Sequence, residues 1–125
     1  MTTSGLIIAV VDDDAAVRNS LKFSLEIEGF AVRAYASADE LLGADGLLGC
    51  QCLIVDQDMP NKTGLELVAI LRKHGVGVPA ILMSGHVTPA LNRRAADAGI
   101  PVVEKPILGN GLIELIRGAA AAKPI

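Results

Sequence analysis

The chain has 125 residues, of which 51% are hydrophobic and only 2% aromatic, and its formal net charge is −3. This length predicts one domain over residues 1–125, with a core over about 5–120 and a short tail over 118–125. The acidic balance and the lack of a basic run disfavour direct nucleic-acid binding by this chain. No apolar stretch approaches the roughly 20 residues of a membrane span, so no membrane-embedded segment is predicted.

The cysteines, Cys50 and Cys52, lie in "LLGCQCLIV". A disulfide between residues two apart in a strand would be strained, and His74 and His86 do not stand at a metal-ligand spacing from them. We interpret both as ordinary reduced thiols, for which a reducing cytosol is the natural compartment. Residues 1–5 also lack the basic segment that begins a signal peptide, so the predicted localisation is cytoplasmic.

Short apolar stretches rich in β-branched residues predict five strands. In chain order they are Leu6–Val11, Ala31–Tyr35, Cys52–Val55, Ala80–Met83 and Pro101–Glu104. Most are nearly continuous in apolar character, as is typical of strands covered on both faces. Segments with helical spacing alternate with them. The pattern predicts an α/β fold, (βα)5, in which right-handed crossovers place helices on both faces of a parallel sheet.

Apolar stripes and capping residues mark the helices. The stripes are Val17, Leu21 and Leu25 in the first helix, Leu67, Val68 and Leu71 in the third, and Leu112, Ile113 and Ile116 in the fifth. Asp14 is predicted to cap the first helix, where a negative charge is favoured. Ser37 and Glu40 are predicted to form a capping box on the second. Thr88 is predicted to cap the fourth, with Pro89 at its first position.

Polar side chains follow four of the predicted strands at their carboxyl ends. They are Asp12 and Asp13 after the first, Asp56 after the third, Ser84 after the fourth and Lys105 after the fifth. In an open α/β sheet ligands bind beyond this edge, so we expect these side chains to share one cleft.

The residue types in the predicted cleft suit the binding of a cation and the transfer of a phosphoryl group. Clustered carboxylates favour Mg²⁺, and a carboxylate can attack a phosphoryl group to give an aspartyl phosphate. A cation, a lysine and a hydroxyl donor stabilise the charge of the transferred group. We therefore predict that Asp56, at the end of the central strand, accepts phosphate, and that the pair Asp12 and Asp13 holds the cation.

The chain resembles the receiver domain of response regulators in two-component signalling, a CheY-like superfamily. The matching segments are "VVDDD" at 10–14, "IVDQDMPNKTGLEL" at 54–67, "ILMSGH" at 81–86 and "VEKP" at 103–106. They occur in order and cover essentially the whole chain. The resemblance implies a flavodoxin-like, doubly wound sheet of five parallel strands in the order 2-1-3-4-5.

The resemblance also implies roles for single residues. Asp56 is implied to be the phosphoacceptor and a Mg²⁺ ligand. Asp13 and the backbone carbonyl of Asp58 are implied to bind Mg²⁺ directly, and Asp12 to bind it through water. Ser84 is implied to be the switch hydroxyl, Lys105 its partner at the phosphoryl group, and Pro106 the residue after a cis peptide bond. Val102 stands where the family usually carries Phe or Tyr. Valine is stiff at χ1, so switching is expected to rely on backbone and helix shifts. The Asp58 side chain adds negative charge beside the acceptor.

The implied phosphoryl donor is a sensor histidine kinase or a phosphotransfer protein. The implied recipient of the signal is a downstream protein or a second copy of the chain. This recipient would bind a surface formed by the fourth helix, the fifth strand and the fifth helix. Arg93, Arg94 and Arg117 are candidates to contribute to that surface, although each is as well explained as a solubilising charge. The given residues leave none for a helix-turn-helix output unit, so a stand-alone receiver and an excised one both stay open.

Other functions are consistent with parts of the pattern. "DQDMP" contains the Asp-x-Asp of haloacid-dehalogenase-type phosphatases, but mid-chain rather than on the first strand. The missing aromatic leaves open a receiver-like module that dimerises without phosphorylation. A nucleotide-binding flavodoxin-like domain is disfavoured because no Gly-rich loop follows the first strand. We predict a signalling phosphoacceptor rather than an enzyme, one that assists its own phosphorylation and dephosphorylation.

Overall fold

The computed structural model describes residues 6–44, 47, 49–107 and 111–121. Strands and helices alternate along these residues. The elements are β1 (Ile7–Val11), α1 (Ala15–Ile27), β2 (Ala31–Tyr35), α2 (Ala38–Gly43), β3 (Cys52–Asp56), α3 (Gly64–Lys73), β4 (Ala80–Ser84), α4 (Pro89–Asp97), β5 (Val102–Glu104) and α5 (Gly111–Ala121).

The strands form one parallel sheet in the order β2-β1-β3-β4-β5. The predicted α/β class and strand order are therefore confirmed. Two strands begin one residue later than predicted, at Ile7 and at Val102. Two extend one residue further, so that Asp56 and Ser84 are the last residues of β3 and β4. The sequence predicts that each of these two strands ends at its last apolar residue, but the backbone pairing between strands continues through the polar residue that follows.

Alternate side chains of the strands enter two hydrophobic clusters, one on each face of the sheet. One face packs under α2, α3 and α4 and includes Val11, Leu53, Val55, Leu82, Leu67 and Leu91. The other packs under α1 and α5 and includes Ile8, Val10, Ile54, Ile81, Leu25 and Ile116. Because both faces are covered, the central strands read as continuous apolar runs rather than as alternating patterns.

Side-chain caps fix where most of the helices begin. Asp14 accepts from the backbone N–H groups of Ala16 and Val17 at the start of α1, as predicted. Thr88 caps α4, which begins at Pro89, also as predicted.

The predicted capping box of α2 is only half correct. Ser37 Oγ accepts from Glu40 N, but the Glu40 carboxylate accepts from Ala36 N and not from Ser37 N. A full capping box occurs instead at α3, between Thr63 and Glu66.

The predicted tail over 118–125 overlaps the last helix, since α5 continues to Ala121. A run of alanines is the best helix-forming sequence, so the helix does not stop at Gly118. The remainder of the predicted tail, 122–125, lies outside the described residues. Within the described residues, every helix falls short of the length and hydropathy that crossing a membrane requires.

Candidate functional site

Strand register brings the predicted polar residues to one edge of the sheet. Val11 pairs with Val55, so Asp12 and Asp56, which follow them, are neighbours across β1 and β3. Ser84, at the end of β4, pairs with Glu104 of β5, and Lys105 follows it. The ladder hydrogen bonds continue past the strand ends, since Lys105 N donates to Ser84 O over 2.9 Å. The backbone therefore holds these positions rigidly.

Lys105 bridges two buried carboxylates. Its Nζ lies 2.9 Å from Asp12 Oδ2 and 3.2 Å from Asp56 Oδ2. Asp12 is fully buried and Asp56 is 2% exposed. Two carboxylates drawn out of water repel each other unless a cation offsets their charge. The ammonium group supplies one positive charge for two negative ones, so the cluster keeps a net negative charge.

The oxygens of Asp12, Asp13 and Asp56 form the acidic cluster. One carboxylate oxygen of each lies within 4.8 Å of the others, with Asp13 exposed at the mouth. The buried Asp12 Oδ2 has the Lys105 ammonium at 2.9 Å as its partner. Hard oxygen donors with excess negative charge suit a divalent cation such as Mg²⁺.

Burial changes the acid chemistry of Asp56. Loss of solvent raises its pKa from the ordinary 3.8 to about 6, against the hydrogen bond from Asp58 N and with the help of the Asp12 charge. Lys105 acts in the lowering direction but does not restore the ordinary value. The pKa of Lys105 is raised: burial lowers it, but its pairing with Asp12 and Asp56 outweighs that effect. The ion pair is therefore intact at neutral pH.

Backbone N–H groups orient the two buried acids. Asp12 Oδ1 accepts from Asp14 N over 2.9 Å, and Asp56 Oδ1 accepts from Asp58 N over 3.0 Å. Arg18 of α1 donates through Nη1 to the backbone oxygen of Asp12 over 2.8 Å. Each carboxylate thus has one oxygen fixed by its own loop and the other turned toward Lys105. The role of Arg18 was not predicted, because a helix arginine six residues on carries no motif.

The loop after Asp56 is tied to the start of α3. The buried Gln57 side chain accepts from Leu65 N over 2.9 Å. Gly64 packs so closely on β3 that a Cβ atom there would lie 2.8 Å from the backbone oxygen of Asp56. Gln57 was not among the predicted site residues, although an uncharged polar residue directly after a buried strand is a signal for such a position.

Ser84 is fully buried, and its hydroxyl points to the side chain of Asp58. Ser84 Oγ donates to Asp58 Oδ2 over 3.0 Å and accepts from His86 N over 3.0 Å. Asp58 Oδ2 also accepts from Gly85 N over 3.2 Å. The exposed Asp58 side chain therefore contacts the loop after β4, a contact that was not predicted.

The remaining predicted positions lie around this edge. Val102 is half-buried and packs against the cluster under α2, α3 and α4. The peptide bond between Lys105 and Pro106 is cis. Arg117 pairs with Glu28 after α1 over 3.3 Å rather than standing alone on the predicted partner surface.

An open groove of about 590 Å³ lies between α1 and the segment that enters α5. Ala16, Ser20, Lys105, Pro106 and Ile107 are among its lining residues. Because Lys105 also pairs with Asp56, the groove ends at the acidic cluster. A partner seated in it would lie next to the candidate site.

The family profile described as "Response regulator receiver domain" matches residues 8–117. The chain belongs to this family. The match spans most of the chain and includes each residue of the acidic edge, so the resemblance noted from the sequence is confirmed.

Curated relatives agree with this assignment. The chain is 37% identical over 113 residues to the transcriptional regulatory protein FixJ of Azorhizobium caulinodans, covering 90% of this chain and 54% of that protein. It is 34% identical over 118 residues to the C4-dicarboxylate transport transcriptional regulatory protein DctR of Rhodobacter capsulatus, covering 92% and 60%. The chain thus spans little more than half the length of these relatives.

Solved structures share the fold. The structure titled FixJ-N is 32% identical, with a TM-score of 0.85 over 96% of this chain and 97% of that one. A CheY-like receiver domain from Methanospirillum hungatei is 28% identical, with a TM-score of 0.84 over 94% of this chain and 95% of that one. The same strand order therefore recurs in known receiver domains.

Proposed function

We propose that the chain is the phosphoacceptor of a two-component system and that Asp56 is the residue phosphorylated. The observation that carries the proposal is the bridge from Lys105 Nζ to Asp12 and Asp56 at the carboxyl edge of the sheet. It sits in a chain of the receiver family. A buried carboxylate next to one fixed cation, in an acidic cluster that suits another, is equipped to take a phosphoryl group.

The proposed reaction is a nucleophilic displacement at phosphorus. A carboxylate oxygen of Asp56 attacks the phosphoryl group of a donor phosphohistidine, a P–O bond forms, the P–N bond breaks and the imidazole leaves. Lys105 is already 3.2 Å from Asp56, so its ammonium can pair with a phosphoryl oxygen as the carboxylate loses its charge. The Ser84 hydroxyl supplies a further donor to the phosphoryl group. Lys105 and Ser84 belong to the chain itself, so we propose that the protein assists its own phosphorylation and dephosphorylation.

The acidic cluster is proposed to hold Mg²⁺. Asp13, Asp56 and the backbone carbonyl of Asp58 are the proposed direct ligands, and Asp12 acts through water. The carboxylate oxygens of Asp12, Asp13 and Asp56, which lie within 4.8 Å of one another, support this assignment. When bound, Mg²⁺ would neutralise charge on the phosphoryl oxygens.

The proposed donor is a sensor histidine kinase or a phosphotransfer protein that seats a helix in the groove between α1 and α5. The groove ends at Lys105, and the exposed Phe23 and Ile27 extend the apolar surface of α1. These two side chains are 69% and 66% exposed, and their spacing of four residues places them on one face of α1 as a small apolar patch. A helix lying along α1 would cover them and bring its phosphohistidine to Asp56.

The proposed output is a change in the surface of α4, β5 and α5 that binds a downstream protein or a second copy. Val102, half-buried beside the core, leaves little room for a rotamer switch. Movement of the loop after β4 and of α4 is expected to carry the signal instead. Cys50 and Cys52 are buried thiols, as suits a reducing compartment, and we propose the cytoplasm.

The test is phosphorylation by phosphoramidate with Mg²⁺, followed by intact-mass spectrometry. The wild-type chain should gain one phosphoryl group, and Asp56→Asn should gain none. The same adduct on Asp56→Asn would overturn the assignment of the acceptor. Continuous release of inorganic phosphate from a small phosphate ester would instead favour a phosphatase.

A further inference from the structure

The proton of the Ser84 hydroxyl group is already engaged in a hydrogen bond. A serine hydroxyl has one donor and two acceptor positions. Here the donor goes to Asp58 Oδ2 over 3.0 Å, and one acceptor position takes the N–H of His86 over 3.0 Å. Phosphoryl oxygens only accept hydrogen bonds, so Ser84 can bind one only by donating. The hydrogen bond to Asp58 and a hydrogen bond to a phosphoryl group therefore exclude each other.

We infer that the Asp58 side chain is a latch that holds Ser84 and the loop after β4 in the unphosphorylated arrangement. Because this rests on the proposed role of Ser84, it deepens the proposed function. Asp58 Oδ2 joins two groups of one loop, the Ser84 hydroxyl and the Gly85 N–H, over 3.0 and 3.2 Å. Releasing Ser84 toward the phosphoryl group breaks the first bond and loosens the second.

Asp58 lies in contact with both the proposed acceptor Asp56 and the switch hydroxyl of Ser84. Its backbone N–H donates to Asp56 Oδ1 over 3.0 Å, so the residue contacts the acceptor and the switch hydroxyl at once. The backbone contact is independent of the side chain. Substitution of the side chain can therefore remove the latch while the backbone N–H and carbonyl of residue 58 remain.

The latch is expected to lower the affinity for a phosphoryl group. The hydrogen bond between Ser84 and Asp58 stabilises the free state and has no counterpart in the phosphorylated state. It therefore weakens phosphoryl binding by the free energy that this hydrogen bond contributes. A hydrogen bond to a charged, exposed carboxylate lies at the low end of its class, which corresponds to about a tenfold change in affinity. Asp58→Ala should therefore bind a phosphoryl analogue about tenfold more tightly.

Loss of the Asp58 charge is a competing cause of the same gain. An anionic ligand binds better when a nearby carboxylate is removed, whatever Ser84 does. The two causes separate in the Ser84→Ala background, where the hydroxyl contact of the latch no longer exists but the charge of Asp58 and its contact with Gly85 N remain. A latch on the Ser84 hydroxyl predicts that Asp58→Ala tightens binding much less there than in the wild-type background, whereas charge repulsion predicts the full effect.

The experiment measures the affinity of beryllofluoride, an analogue of the phosphoryl group, at saturating Mg²⁺. The variants are Asp58→Ala, Asp58→Asn, Ser84→Ala and the double variant Asp58→Ala/Ser84→Ala, with Asp97→Asn as a control for net charge. Asp58→Asn keeps a neutral acceptor, so it should fall between the wild type and Asp58→Ala. Asp97→Asn should bind like the wild type.

Amide chemical shifts give a second readout without ligand. The Gly85 and His86 resonances should move in Asp58→Ala toward their positions in beryllofluoride-bound wild type. Equal tightening by Asp58→Ala with and without Ser84, or no tightening in the wild-type background, overturns the latch. A wild-type chain that binds no beryllofluoride with Mg²⁺ overturns the proposed function itself and the latch with it.

Discussion

Gly64, at the start of α3, touches the backbone of Asp56. A Cβ atom at Gly64 would lie 2.6 Å from Leu82 Cδ1 and 2.8 Å from the Asp56 carbonyl oxygen. The second neighbour is backbone and cannot rotate away. The absence of a side chain at position 64 therefore sets how closely α3 approaches the strand that carries the candidate acceptor.

Gly64→Ala should destabilise the fold and disturb the site. Overpacking of this kind typically costs about 1–3 kcal/mol, and relief requires α3 to move away from β3. We expect a lower midpoint in urea unfolding and slower phosphorylation by phosphoramidate. Gly43→Ala is the matched control, since nothing lies within 4 Å of its Cβ position at the end of α2. Equal stability of the two variants would show that α3 tolerates the displacement.

The raised pKa of Asp56 predicts a specific pH dependence of stability. Between pH 3.8 and about 6 the native chain keeps the Asp56 proton while the unfolded chain has released it. The native state binds more protons in this window, so stability falls as the pH rises through it. A shift of this size corresponds to about 2–3 kcal/mol lost above pH 6.

Asp56→Asn isolates this contribution because asparagine does not titrate. The free energy of unfolding of the variant should exceed that of the wild type by a margin that grows by about 2–3 kcal/mol between pH 4 and pH 7.5. Urea unfolding in the absence of Mg²⁺ at several pH values measures it. A margin that is constant across this range would mean that Asp56 titrates alike in both states.

Most of the site follows from the sequence because strand ends are geometrically constrained. Once five apolar runs are taken as parallel strands, their carboxyl ends must meet, and Asp12, Asp56 and Lys105 come together without any knowledge of their side-chain angles. The same applies to the caps Asp14 and Thr88, whose positions are fixed relative to the first helical turn.

Contacts between loop residues could not be predicted in this way. Asp58 and Ser84 are 26 positions apart, and nothing in their spacing turns one toward the other. Glu40 reaches Ala36 N rather than Ser37 N because a flexible carboxylate can satisfy either donor. Such choices depend on side-chain rotamers and loop backbone, which periodicity does not encode.

Burial predicts that Cys52 is unreactive in the folded chain. Cys52 is fully buried, and loss of solvent raises its pKa to about 12. At pH 8 the reactive thiolate is scarce and inaccessible. In a Cys50→Ala background, Cys52 should react with a thiol-specific disulfide reagent only as fast as the fold opens, and the rate should increase with urea. Rapid stoichiometric reaction in native buffer would contradict the burial.

Lys105→Met should destabilise the chain by leaving two buried carboxylates uncompensated. Removal of one partner from a buried ion pair costs about 3–5 kcal/mol, and the partial exposure of Lys105 reduces this to about 2–3 kcal/mol. Adding Asp56→Asn should recover part of the loss, since one of the repelling charges is gone. Lys22→Met, which breaks an exposed pair with Glu26, serves as control and should change stability by less than about 1 kcal/mol. Equal losses from both lysines would place Lys105 outside the network.

Magnesium should stabilise the folded chain, and more strongly at pH 7.5 than at pH 5. A ligand that binds only the native state adds about 2.7 kcal/mol at a hundredfold excess over its dissociation constant. Protons compete with the cation for Asp56, whose pKa is about 6, so the gain should shrink as the pH falls. Asp13→Ala removes an exposed oxygen donor at the mouth of the cluster and should abolish most of the increase in melting temperature. Asp97→Ala on α4 should retain it. A full magnesium response in Asp13→Ala would move the cation to another set of ligands.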